Sequence, residues 1–228
     1  MISWLDNPFW NALTGLDTDK NQGADGLAYF DADMAPFIAM PFWDADKQRT
    51  SMNRIDKDRS WFVLIRDDVR FIDDLEIVFS IPLYQMVCHK LPTHQQASDD
   101  TQIVPLTAKH VDEMIALTTL TRPGPFVKRT IEFGNYHGIL KHGKLIAMGG
   151  ERIHVGEFTE ISAICTHPNH QGLGYAADIT HHLATSVMQK GQMPFLHVRF
   201  DNTKAIDLYE RLGFEIRTPM NFYIIKRK

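Results

Sequence analysis

The residues best placed to do chemistry lie between Glu160 and Ala176, in the run Glu-Ile-Ser-Ala-Ile-Cys-Thr-His-Pro-Asn-His-Gln-Gly-Leu-Gly-Tyr-Ala. Gln171, Gly172 and Gly174 form a short glycine-rich turn just ahead of an amphipathic stretch. Glycines there let the backbone come close to an anion that a larger side chain would fend off. A turn that opens directly into a helix also leaves the first N–H groups of that helix without internal partners, at the positive end of its dipole. The chemistry on offer is the holding of a phosphate or pyrophosphate.

Recognisable elements flank this turn. Ile161, Ala163 and Cys165 alternate with Ser162, Ile164 and Thr166, which predicts a strand with Glu160, Ser162, Ile164 and Thr166 on one face. Pro168 ends it, because proline cannot donate to a ladder. After the turn, Ala176, Ile179, Leu183 and Val187 recur at helical spacing as far as Lys190-Gly191, with the glycine as C-terminal cap. Upstream, Gln102–Leu106 reads as a strand and Thr107 as the N-cap of a helix carrying Asp112 and Glu113 in its first turn. Two prolines around Gly124 make Thr121–Phe126 a stiff loop. Tyr136–Lys141 and Lys144–His154 read as strands joined by a tight His142-Gly143 turn. Downstream come a strand at Pro194–Phe200, a helix at Asn202–Leu212 ended by Gly213, and a last strand or strand pair at Phe214–Ile225. The order β-α-β-β-β-α-β-α-β predicts an α/β (α+β mixed sheet) domain over residues 101–228.

Residues 1–95 read as a separate N-terminal α/β domain without a cofactor motif, and Leu91–Asp100 as the linker. Asn21–Gly26 reads as a loop, Trp61–Ile65 and Leu75–Val87 as strands, and Leu27–Phe30 and Met34–Trp43 as short apolar pieces. The aspartates at 31/33, 44/46, 67/68 and 73/74 come in close pairs that read as helix caps and turns rather than metal ligands.

The composition is that of an ordinary globular protein, 44% hydrophobic and 23% charged over 228 residues. The net charge of −4 is unevenly shared, with 17 acidic and 9 basic residues in 1–100 against 11 and 15 in 101–228. A mildly basic half carrying the phosphate turn suits an anionic cofactor. It lacks the clustered Lys/Arg stripe of a nucleic-acid binder. Two cysteines, Cys88 and Cys165, point to a reducing compartment. The first residues show no secretory pattern, and the apolar stretch Ile77–Val87 contains Pro82 and is too short to cross a bilayer. The expectation is a soluble cytoplasmic protein, with no membrane and no nucleic acid among its partners.

Two segments carry a family resemblance. Thr166-His-Pro-Asn-His-Gln171-Gly172-Leu173-Gly174-Tyr175-Ala176 resembles the pyrophosphate loop, Arg/Gln-x-x-Gly-x-Gly/Ala, of the GNAT superfamily of coenzyme A-dependent N-acyltransferases. Asp201-Asn202-Thr-Lys-Ala205-Ile-Asp-Leu-Tyr209-Glu-Arg-Leu-Gly213-Phe214 resembles that family's Asn…Ala…Tyr…Gly-Phe segment. The chain looks most like the glycine N-acyltransferase-like branch, and there the N-terminal half would be a degenerate copy of the same fold.

The resemblance implies acetyl-CoA as co-substrate, no metal, and a small-molecule amine as acceptor, in a monomer or homodimer. It implies that backbone N–H groups from Gln171 to Ala176 hold the pyrophosphate. Main-chain groups of Ile164 and Thr166 would meet the pantetheine and acyl carbonyl. Asn202, with Ala205 at the family spacing, would bind the pantetheine arm, and Tyr209 would protonate the departing thiolate. Gln171 is the uncharged choice at its position, so one charge near the phosphates is absent. Glu160 is the candidate general base, with a strand-edge carboxylate in a surface ion pair as the alternative; Glu151 and His154 stand in reserve. Arg122–Phe126 reads either as part of the acceptor pocket or as a rigid connection. His167 and His170 read as loop residues beside the cofactor, His181 and His182 as solvated, and Cys165 as inert core. Two rival functions are a non-catalytic acyl-CoA-binding or sensing protein and a nucleotide-binding protein using the glycine turn for another phosphate. The second leaves Asn202–Phe214 unexplained.

Overall fold

The computed structural model describes residues 4–96 and 102–228. The last residues of the expected linker, 97–100, therefore lie outside the described residues. In chain order the elements are α1 (Pro8–Leu13), β1 (Ala28–Tyr29), β2 (Ile38–Ala39), α2 (Ala45–Met52), β3 (Trp61–Ile65), β4 (Leu75–Cys88) and β5 (Ile103–Pro105). They continue with α3 (Val111–Thr121), β6 (His137–Lys141), β7 (Lys144–Val155), β8 (Phe158–Thr166), α4 (Tyr175–Gln189), β9 (Met193–Arg199), α5 (Thr203–Arg211) and β10 (Phe214–Arg227). From residue 103 onward this is the element order expected from the sequence. Local rules account for it. His142 and Gly143 both take positive φ (51° and 74°) in the β6–β7 turn, and Gly191 and Gly213 follow α4 and α5 with φ of 74° and 85°. Thr107 caps the short 3-10 turn ahead of α3 in a reciprocal box with His110. Of the paired aspartates, Asp44 caps α2 by accepting from Lys47 N at 2.9 Å, and Asp31 closes a turn onto Asp33 N.

β1 and β2 form a small two-stranded sheet, and eight strands form one large mixed sheet in the order β3-β10-β4-β9-β8-β7-β6-β5. The N-terminal half does not repeat the C-terminal fold. It lends β3 and β4 to the same sheet, and β4 runs between β9 and β10 with β10 paired along its whole length. Strands from both sides of residues 95–101 thus hydrogen-bond side by side. Every neighbouring pair in the large sheet is antiparallel except β8 and β9. That parallel pair matches Phe158–Glu160 with Met193–Phe195 and goes no further. Beyond it, Ile161–Thr166 has no ladder partner on the β9 side, and a wedge opens in the middle of the sheet.

Each face of the sheet buries its own core. α4 and α5 cover one face through Ile179, Leu183, Ala184 and Leu212, packed on Ile146, Ile161 and Leu196. The N-terminal segment covers the other face with Phe9, Phe30 and Phe37, which meet Met148, Ile153 and Phe195. Little in the residue pattern marks α1 or α2. α1 spans only six residues started by Pro8, and α2 reads as polar apart from its ends. Among the described residues no helix is long and apolar enough to cross a membrane.

A buried polar knot ties the N-terminal segment to the β7–β8 end of the sheet. His154 lies between Asp17, which accepts from its backbone N at 2.8 Å, and Glu151, which also receives Lys190 Nζ at 2.8 Å and Asn135 Nδ2 at 2.7 Å. Hydrogen bonds to Asp17 and then Glu151 raise the His154 pKa to about 9. Burial pushes the Glu151 carboxyl up, but His154, Lys190 and Asn135 outweigh it and hold it at about 2. A histidine raised in the folded state stabilises fully below its unfolded value and loses that contribution as pH climbs through the folded one. Melting temperature should therefore fall as pH rises from about 6.5 to 9, and His154→Gln should flatten that slope. Scanning calorimetry across this range checks it; an unchanged slope in the variant contradicts the assignment.

Candidate functional site

The phosphate turn forms as its residue types require. β8 ends at Thr166, and a 3-10 turn at Pro168–His170 follows, with His167 Nδ1 accepting from Asn169 N. Gly172 (φ 78°) and Gly174 (φ 83°) then turn the chain in the left-handed region, and Gly174 is the N-cap of α4. Only glycine adopts that conformation without strain. No backbone–backbone hydrogen bond among the described residues uses the N–H of Gly172, Leu173 or Gly174, and a Cβ on Gly172 would meet nothing within 4 Å. Tyr175, Ala176 and Ala177 open the helix, so their N–H groups have no intrahelical partner. The acidic side chain of the first turn does not compete for this site, because Asp178 is buried and bonded to His94 Nε2 at 2.7 Å.

Strand β8 presents its open edge beside this cradle. Ala163 takes φ 56°, and the pairing with β7 steps from Gly150↔Ser162 to Met148↔Cys165, which leaves one extra residue on β8. This bulge corrects the strict alternation expected for the strand. Ile161 and Ile164 both lie on the α4 side, and Ala163 and Cys165 both lie in the opposite core. Glu160 consequently does not share a face with Ile164, since one inserted residue exchanges the faces of everything after it. At the end of the edge, the Thr166 hydroxyl is buried without a hydrogen-bond partner among the described residues. An orphaned hydroxyl, a row of unpaired main chain and a helix N-terminus meet at one place, and this set fits an extended ligand with an amide-bearing arm and a diphosphate.

Where β8 and β9 part, five adjacent strands carry a polar row on the face covered by the N-terminal segment. Arg152 on β7 holds Glu160 on β8 through Nε at 2.8 Å and through a second bond from Nη2. His197 Nδ1 on β9 lies 2.7 Å from Glu160 Oε1, and its Nε2 lies 2.9 Å from Gln85 Nε2 on β4. Arg217 on β10 donates to Gln85 Oε1 at 2.6 Å and also to Asp6. Burial pushes the Glu160 carboxyl up, but the Arg152 charge and the His197 contacts hold it at about 2. Glu160 is fully buried, so it is neither a strand-edge carboxylate nor part of a surface ion pair. Glu151 and His154 flank Arg152 on β7 but bond to Asp17, Lys190 and Asn135 in the knot instead.

Tyr209 is half-buried on α5, with its ring 6.0 Å from Phe214. Burial, and then the nearby Cys165 on β8, push its phenol up to about 12. Asn202 caps α5 by accepting from Ala205 N at 3.3 Å, which leaves its amide hydrogens outward. Burial pushes the Cys165 thiol up to about 11, which makes it unreactive. Gln171 Nε2 reaches back to Thr166 O at 3.5 Å. His181 and His182 are half-buried rather than fully solvated. His181 packs on His94 and Pro92 O, and His182 on His137. Among the described residues no group of three or more His, Cys, Asp or Glu is arranged to hold a metal. His197, Gln85 and Arg217 had no sequence signal, since each lies in a strand outside the two motifs.

The FR47-like protein family model matches residues 136–223. The chain is 30% identical to a putative acetyltransferase of the GNAT family from Novosphingobium aromaticivorans, whose crystal structure superposes with a TM-score of 0.89 over 99% of each chain. A GCN5-related N-acetyltransferase from Kribbella flavida shares the fold, with a TM-score of 0.69 at 16% identity over 100% of this chain and 96% of that one. Mycothiol acetyltransferase from Mycolicibacterium smegmatis is 31% identical over 78 residues, which are 32% of this chain and 26% of that protein. This chain therefore spans about a quarter of that curated relative. The fold is that of GNAT acetyltransferase structures. The chain belongs to the GNAT family of acetyltransferases.

The burial of the Arg152–Glu160 pair has a measurable consequence. Glu160→Leu leaves a guanidinium whose side chain is only 12% exposed without its counter-charge. It should cost about 3–5 kcal/mol of unfolding free energy in urea, against about 1 kcal/mol or less for a solvent-exposed pair.

Proposed function

We propose that the protein transfers an acetyl group from acetyl-CoA to the primary amine of a small molecule or amino acid, by direct attack within a ternary complex. The observation that carries this reading is one juxtaposition: an anion-holding helix N-terminus closes the unpaired edge of β8, next to a buried carboxylate at the point of the wedge. When bound, acetyl-CoA supplies an already activated thioester carbonyl, so positioning accounts for much of the rate.

In this reading the N–H groups from Gln171 to Ala176 hold the diphosphate, with no side-chain cation in the motif. The main chain of Ile164 and Thr166 on the open edge holds the pantetheine arm as an added strand would, and Thr166 Oγ1 gains a partner. The outward amide of Asn202 holds the same arm beside Ala205. Glu160 receives the proton of the acceptor nitrogen, directly or through water. A carboxylate held at about 2 is a weak base, so it takes that proton only after attack, when the nitrogen has become strongly acidic. Tyr209 steadies the departing sulfur. Its phenol at about 12 lies well above a thiol at about 8.5, so it works by donating a hydrogen bond to the thiolate more than by surrendering its proton. We assign the chain to the glycine N-acyltransferase-like branch on its two motifs, and to the cytoplasm on its cysteine usage.

The full burial of Glu160 and its engagement by Arg152 and His197 favour one second reading, an acyl-CoA-binding or sensing protein without turnover. Thiol release from acetyl-CoA in the presence of an amine panel separates the two. Tyr209→Phe should lower kcat by about a hundredfold while acetyl-CoA affinity stays within about twofold. No thiol release by wild type with any amine, despite tight acetyl-CoA binding, would establish the sensing reading instead.

A further inference from the structure

The geometry of the polar row fixes where its hydrogens lie. A guanidinium only donates, so Gln85 Oε1 is the atom that faces Arg217 at 2.6 Å. Gln85 Nε2 then lies 2.9 Å from the Leu5 carbonyl, which only accepts, and 2.9 Å from His197 Nε2. Each amide hydrogen has one destination, so His197 Nε2 is the acceptor of the second. A hydrogen on that nitrogen would face another N–H. Flipping the amide would set two donors together at Arg217 and two acceptors together at Leu5. The imidazole hydrogen therefore sits on Nδ1 and points at Glu160 Oε1, 2.7 Å away. The charged groups in the row are Arg152 on β7, Glu160 on β8, Arg217 on β10 and Asp6 in the N-terminal turn. Asp6 also pairs with Arg66 at 3.2 Å, so three guanidiniums already face two carboxylates without any charge on His197.

We propose that Gln85 is a positioning residue of this centre: by donating to Nε2 it holds His197 as the Nδ1–H tautomer, and that N–H fixes the Glu160 carboxylate where β8 and β9 part. Glu160 Oε1 is shared between His197 and Arg152, and Oε2 takes only Arg152 Nε, so the remaining lone pair on Oε2 is the one free to receive a proton. Gln85 is fully buried and anchored to Leu5, so the N-terminal half reaches His197 through this amide. The catalytic consequence rests on the reading of Glu160 as base; the tautomer does not.

Imidazole nitrogen-15 spectra, assigned with His197→Asn, test the tautomer directly. Wild type should show protonated Nδ1 and bare Nε2 for His197. Gln85→Leu, or the near-isosteric Gln85→Met if the first does not fold, should release the ring to exchange between its two tautomers. In the same variant kcat/KM should fall by about tenfold or more and its acid limb should move, while KM for acetyl-CoA stays within about twofold. A hydrogen on His197 Nε2 in wild type, or unchanged His197 shifts in the Gln85 variants, would overturn the proposal. Absence of acetyl transfer by wild type would strike the proposed function and leave the nitrogen assignment standing on its own spectra.

Discussion

Two parallel strands that stop hydrogen-bonding part-way along leave buried main chain in need of partners, and the rest of this structure depends on how that need is met. β8 and β9 stay together only as far as Glu160 and Phe195. Splitting a sheet in its middle costs ladder bonds, and a core does not tolerate the gap without support on both sides. Here the support is asymmetric. On one face α4 and α5 brace the two separated strands through Ile179, Leu183 and Leu212. On the other, a row of five side chains from Arg152 to Arg217 stitches five strands together at the point where they diverge. What remains open is the unpaired edge of β8, with a helix N-terminus at its far end.

The same division assigns work to the two halves of the chain. The C-terminal half carries the cradle, the edge and Tyr209. The N-terminal half supplies β4, which lies against β9 and brings Gln85 to the row, and the turn that brings Leu5 and Asp6 over it. Its aromatic residues also seal the buried charges. Phe9 and Phe37 stack with ring centroids 3.9 Å apart, and the Arg152 guanidinium lies 4.9 Å from the Phe37 ring. A guanidinium shielded by rings and bonded in two places to one carboxylate is well held, and removing either partner leaves the other charge stranded.

Much of the C-terminal half was legible in the sequence because its signals are local. Gly172, Gly174, Gly191 and Gly213 mark turns that demand positive φ, and apolar spacing marks α4. The phosphate cradle follows from such local signals alone. The bulge at Ala163 was not legible, since alanine has no preference for positive φ and the extra residue shows only against β7. Nor was the sharing of one sheet by both halves, which is a matter of long-range pairing between residues more than a hundred positions apart. The polar row was hidden for the same reason. Its members are single residues in strands that become neighbours only when the sheet forms, and Glu160 looked like an exposed strand end until Arg152 and His197 closed over it.

The central claim is that the open β8 edge and the α4 N-terminus together hold acetyl-CoA, and titration calorimetry on wild type and on Gly174→Glu tests it most directly. Low micromolar or tighter binding by wild type, lost when a carboxylate and a side chain incompatible with φ 83° enter the cradle, is the predicted result. Equal binding by both proteins, or no heat from wild type at two temperatures, would contradict it.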